Sequence, residues 1–105
     1  MTLSEVDVLL KTTGLPVTYR AWPENEAPPL PFVCYVEAGS NNFAADGVVY
    51  HTAQRYTIEL YTEEKDPETE AKLEAALTGA GIFWTKDETY IESERMNEII
   101  YEIEV

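Results

Sequence analysis

Cysteine, histidine and basic side chains are what this sequence of 105 residues has least of. A single cysteine, Cys34, excludes an intramolecular disulfide and a cysteine-built zinc site. A single histidine, His51, leaves an imidazole-based metal site without a second ligand, and as a general base it has no identifiable orienting partner. Seven Lys and Arg stand against twenty Asp and Glu, a net charge of −13. Such a surface repels phosphate, so sequence-specific nucleic-acid binding is not expected. No apolar run reaches the length of about 18 residues that a membrane-spanning helix requires. Met1-Thr2-Leu3-Ser4-Glu5 lacks the basic start and apolar stretch of a secretory leader, which points to a cytosolic origin. There is no glycine-rich phosphate loop, because Gly79-Ala80-Gly81 follows a predicted helix and does not open one. No cofactor and no metal are expected.

What remains is the composition of one small folded domain spanning residues 1–105, with 45% apolar and 26% charged residues. The charge is uneven. Residues 1–50 hold two basic and six acidic side chains, and residues 51–105 hold five and fourteen. Two carboxylate groupings, Glu63-Glu64-Lys65-Asp66 and Glu92-Ser93-Glu94, lack the spacing of a calcium loop. The first sits where a helix begins, and negative charge is favoured there.

Periodicity predicts seven elements. Thr2 caps a first helix, with Glu5 completing a capping box and Val6, Leu9, Leu10 and Thr13 on one face; Gly14 stops it. Residues 16–22 alternate as a strand, placing Val17, Tyr19 and Ala21 opposite Thr18, Arg20 and Trp22. Four prolines in residues 23–31 make a stiff connection. Residues 32–37 read as a strand covered on both faces, and residues 38–47, small and turn-rich, as a long loop or an open hairpin arm. Residues 48–62 are extended, with Tyr56, Ile58 and Leu60 facing one way and Thr57, Glu59 and Tyr61 the other. Asp66 and Pro67 open a second helix with Leu73, Ala76, Leu77 and Ala80 as its stripe and a Glu68–Lys72 pair on its surface. Strands over 82–90 and 97–105 close the chain, the last with Ile99, Tyr101, Ile103 and Val105 against Glu98, Ile100, Glu102 and Glu104. The order α-β-β-β-α-β-β, linked mainly by hairpins, predicts an α+β fold. Its mainly antiparallel sheet has four to five strands, with two helices packed on one face.

Seven Tyr, three Phe and two Trp supply the core, and register sets Trp22 and Tyr61 on the opposite face. Phe43 is a lone aromatic among Asn41, Asn42, Ala44, Ala45 and Asp46, and an exposed Phe is costly unless something buries it. Either it folds back onto the domain or a partner subunit receives it, and in the second case Asn41, Asn42, Phe43 and Asp46 are candidate subunit-interface residues.

Several segments taken together resemble a known family. They are Leu10-Lys11-Thr12-Thr13-Gly14-Leu15-Pro16-Val17, Pro31-Phe32-Val33-Cys34-Tyr35 and Gly39-Ser40-Asn41-Asn42-Phe43-Ala44-Ala45-Asp46-Gly47, followed by Tyr56-Thr57-Ile58-Glu59-Leu60-Tyr61-Thr62, Lys65-Asp66-Pro67-Glu68 and Tyr90-Ile91-Glu92-Ser93-Glu94. In this order and spacing they resemble the small tail-completion, tail-terminator or minor capsid proteins encoded in the head-to-tail gene clusters of long-tailed phages and prophages of Gram-positive bacteria. The resemblance implies an α+β fold and a structural, non-enzymatic role. It implies a hexameric ring that caps the tail tube and meets the head connector, found in the virion neck after assembly in the host cytoplasm. Its partners would be further copies of itself, the tail tube protein and the head connector protein, with DNA only as passing cargo. An acidic channel wall would let DNA slide by repulsion, and either Glu98, Glu102 and Glu104 or Glu63, Glu64 and Asp66 are expected to line it. Two other readings remain. One is an acidic DNA-mimic inhibitor of a host nucleic-acid enzyme, separated by self-assembly into rings. The other is a small hydrolase or metal-dependent enzyme, against which the missing His and Cys constellations argue.

Overall fold

Helix α1, Leu3–Lys11, starts where its capping box is built: the Thr2 side chain accepts from the Glu5 amide at 3.2 Å and the Thr2 amide donates to Glu5 Oε1 at 2.9 Å. It buries Val6 and Leu10, and Gly14, at φ 81°, turns the chain away from it. Helix α2, Pro67–Gly79, starts on Asp66, whose carboxylate accepts from the Thr69 amide and hydroxyl, with Pro67 in the first turn. It buries Leu73 and Leu77; Ala80 caps its C-terminal end and is exposed, so the apolar stripe is narrower than its sequence suggests. Glu68 and Lys72 do not form the expected surface pair. The ion pairs among the described residues belong to Lys11, Lys65 and Lys86.

The computed structural model describes the backbone of residues 1–45 and 48–105, and the side chains of residues 1–40 and 53–105. Five strands, β1 (Val17–Tyr19), β2 (Phe32–Ala45), β3 (Val48–Thr62), β4 (Trp84–Ile91) and β5 (Met96–Glu104), form one sheet in the order β1-β2-β3-β5-β4. All neighbours are antiparallel except β1 and β2, which run parallel. The chain is an α+β fold with the element order α-β-β-β-α-β-β.

Alternation along the strands sorts the side chains. Val33 and Tyr35 of β2, Tyr56, Ile58 and Leu60 of β3, and Ile99, Tyr101 and Ile103 of β5 join Val6, Leu10, Leu73 and Leu77 of the helices in one core. Both helices therefore cover the same face of the sheet.

Two segments depart from the sequence expectation, and a third is decided between two alternatives. Strand β1 stops at Tyr19 because Arg20 takes φ 66°, a left-handed conformation that no strand accommodates; its amide then reaches the Tyr35 carbonyl at 2.7 Å. Ile82 is not in β4: its amide closes the end of α2 on the Leu77 carbonyl at 3.0 Å, and its side chain is buried in the core. Of the two alternatives expected after residue 37, a long loop or an open hairpin arm, the structure shows the arm. Strand β2 continues to Ala45, paired with β3 as far as Ala45↔Val48, and makes a long two-stranded arm. The ladder survives a register shift between Glu37 and Gly39, where Gly39 sits at φ 107° and a Cβ would lie 3.2 Å from the Arg55 guanidinium. The interface expectation for Asn41, Asn42 and Phe43 meets a strand backbone, paired with Ala53, Thr52 and His51, but their side chains, like Asp46, lie outside the described residues.

Core burial sets the first expected outcome. Leu73→Ala should lower the unfolding free energy by about 2–5 kcal/mol, whereas Ile100→Ala, half-buried on the other face of β5, should cost clearly less; urea denaturation of the two variants checks this.

Candidate functional site

Opposite the helices, the sheet carries a face that neither helix covers. Register brings Tyr61 beside Glu98, Glu59 beside Ile100, Thr57 beside Glu102 and Arg55 beside Glu104, all pointing away from the core. Strand β4 adds Thr85 and Asp87 on the same side, opposite Glu102 and Ile100. Glu98, Glu102 and Glu104 thus stand in one row along β5, Glu102 and Glu104 about 7 Å apart and Glu98 about 13 Å from Glu102, with Ile100 between them, at the rise of an extended chain. Glu59 and Asp87 flank the row, and Arg55 enters it from β3.

One side of this face is aromatic. Phe32 stands between Trp22, at a ring-centroid distance of 5.9 Å, and Tyr61, at 5.4 Å. The Tyr61 hydroxyl donates to Glu59 Oε2 at 2.7 Å. Burial, together with the carboxylates of Glu59 and Glu98, pushes the Tyr61 phenol far above its ordinary range, so it stays a hydrogen-bond donor. Cys34 lies under the same face, 5% exposed, and burial followed by the charge of Glu59 pushes its thiol up to about 11. A thiol so placed is protonated at neutral pH and unreactive.

The second predicted carboxylate set is placed differently. Glu63 and Glu64 are exposed in the turn after β3, at the end of the sheet away from the arm. Asp66 is the cap of α2, and the hydrogen bonds from Thr69 hold its carboxyl below the usual carboxylate range. These residues line a cleft of about 390 Å3 with Leu30, Pro31 and Lys65. A cleft of about 420 Å3 lies on the uncovered face, where Arg55, Thr57, Phe83, Thr85, Glu102 and Glu104 meet. Among the described residues no three His, Cys, Asp or Glu side chains converge as a metal site would need.

A polar network that sequence reasoning missed closes the core between α2 and β4. Glu70, 3% exposed, receives Lys65 at 2.8 Å and Lys86 at 3.1 Å. Lys86 also reaches Glu74 at 2.8 Å, and the Tyr101 hydroxyl donates to Glu74 at 2.6 Å. Lys65 binds Glu88 as well. The available signal was spacing: Glu70 precedes Leu73 by three residues and Leu77 by seven, on the buried stripe of α2.

No protein-family model matches the chain, and no curated protein is similar to it.

Burial works to raise the Glu74 carboxyl, but the Lys86 ammonium and the Tyr101 hydroxyl hold it below its ordinary value of 4.5. A carboxylate depressed on folding stabilises the protein fully above its unfolded value and loses that contribution as pH falls through the folded one. Stability should therefore decline below about pH 4.5, and Glu74→Gln should be less stable at neutral pH while showing a shallower acid-side decline. Thermal melts of the two proteins between pH 7 and pH 3 check both.

Proposed function

We propose that this chain is a structural, non-enzymatic component of a long-tailed phage neck, which forms a ring on the end of the tail tube and meets the head connector. The observation that carries the reading is the arm. Strand β5 and the Val105 that follows it pair with β3 from Gln54 onward, Gln54 and Val105 exchanging backbone hydrogen bonds at 2.8 Å, so from Ala53 outward β3 is paired with β2 alone, as a ribbon leaving the five-stranded body. The longest dimension of the molecule reaches 50 Å against 29 and 23 Å. A two-stranded ribbon gains little by folding alone, and its use lies in contact with another molecule. This geometry, and the ordered segments that resemble tail-completion and tail-terminator proteins, support the same assignment.

The channel wall in this reading is the carboxylate row Glu98, Glu102 and Glu104. It occupies the face that the helices leave uncovered, whereas Asp66 is already engaged as a helix cap and Glu63 and Glu64 lie in a turn. A wall of this sign keeps DNA phosphates from adhering as they pass.

Two outcomes are expected. Particles assembled without this protein should show overlong tails or separated heads and tails in electron micrographs; normal particles would remove the neck assignment. Lys at positions 98, 102 and 104 should impede DNA release while leaving folding intact, and Lys at positions 63 and 64 should not. Equal release from both sets of particles would leave the acidity as a matter of solubility.

A further inference from the structure

Strand β4 ends the sheet, and its outer edge faces no other strand among the described residues. It is eight residues long, has no proline, and pairs with β5 in unbroken register from Trp84↔Ile103 to Ile91↔Met96. Open edges of this length are templates for another strand unless something blocks them. Apolar side chains are exposed here: Phe83 is 82% exposed, and Tyr90 is 53% exposed.

The sequence of this edge is complementary to itself. In an antiparallel pair of two β4 strands with Asp87 on the two-fold axis, directly opposed residues share a face. Phe83 then opposes Ile91, Trp84 opposes Tyr90, Thr85 opposes Thr89 and Lys86 opposes Glu88. Aromatic–aliphatic, aromatic–aromatic, Thr–Thr and opposite-charge pairs are the combinations that favour strand pairing. The blocking device found on natural edges is an inward-pointing charge. Lys86 and Glu88 are such charges, but each is neutralised within its own subunit, by Glu70 and Glu74 and by Lys65. Only Asp87 meets its own kind.

We propose that β4 is the contact surface for a second copy of this chain, joined through the Asp87-centred antiparallel register into a continuous ten-stranded sheet. Both helical layers then lie on one side. The contact sits at the far edge of the sheet from β1 and leaves the arm of each copy free. It is isologous, whereas a ring closes through two different surfaces, so it stands apart from the neck reading and is tested on the isolated protein.

Sedimentation equilibrium of the purified chain should show a dimer. Phe83→Ala should weaken it at least about tenfold without changing the circular dichroism, since the side chain is exposed. Asp87→Asn should tighten it roughly two- to fivefold by removing the like-charge pair on the axis. Register is tested by cysteines in the presence of the buried Cys34. Asp87→Cys should form an intersubunit disulfide readily, because residues opposed on a two-fold axis lie within disulfide reach. Thr85→Cys should not, because its opposite number is Thr89. A chain that stays monomeric, a dimer indifferent to Phe83→Ala, or cross-linking that does not favour position 87 over 85 would each overturn the proposal.

Discussion

Strand β3 is paired on both sides between Gln54 and Tyr61 and with β2 alone from Ala53 outward, and both halves of the molecule follow from that difference. In the doubly paired half, strict alternation sends Tyr56, Ile58 and Leu60 to the helices and Thr57, Glu59 and Tyr61 away from them. A slip of one residue would exchange the two sets and put the Glu59 carboxylate into the core, so burial on one face holds the register. The acidic row on β5 depends on the same constraint, because β5 takes its register from β3. In the singly paired half the ladder with β2 alone sets the register.

Three of the seven basic side chains, Lys11, Lys65 and Lys86, are held in ion pairs among the described residues. Lys65 and Lys86 are drawn to Glu70, which the packing of α2 places in the core wall. Removing one lysine would leave a nearly buried carboxylate with half of its compensation, and that is far more costly than losing a surface pair. Lys11 is held by Asp7 at 2.6 Å, and Asp7 also accepts from Tyr35 at 2.6 Å, which ties α1 to β2 as the lysine network ties α2 to β4. The acidic excess is consequently displaced to the uncovered sheet face and the turns. Within the net charge of −13, Lys65 and Lys86 thus close the seam between α2 and β4, while Glu98, Glu102 and Glu104 stand on the uncovered face with Arg55 beside them.

Local signals made much of the fold legible. Thr2 with Glu5, Asp66 with Pro67, and the alternation from Ile99 to Ile103 each state their structure within a few residues. What stayed hidden depends on distant partners. The arm was legible only as one of two alternatives: Gly39, Ser40, Asn41 and Asn42, of low strand propensity, fit a loop as well as a hairpin arm, and pairing with β3 makes a strand of them. The end of β1 is a backbone conformation at Arg20, a residue type that gives no hint of it. Glu70 was hidden because a carboxylate on an apolar stripe reads as surface until the two lysines that receive it are known. The candidate face was half legible. The outward direction of Trp22, Tyr61, Glu98, Glu102 and Glu104 follows from period two, but the joining of Glu59, Asp87 and Phe83 to them needed the strand order.

The two tryptophans divide between the two surfaces of the sheet. Trp22 packs edge-on against Phe32 on the uncovered face, while Trp84 lies against Tyr101 at 5.7 Å and donates its indole N–H to Thr78 at 3.0 Å on the helical side. Each ring therefore serves as a separate optical reporter. Emission from Trp22 follows events on the acidic face, and emission from Trp84 follows the free edge and the seating of α2. With one of the two replaced by Phe, the intrinsic fluorescence of the other reads a single surface without any attached dye.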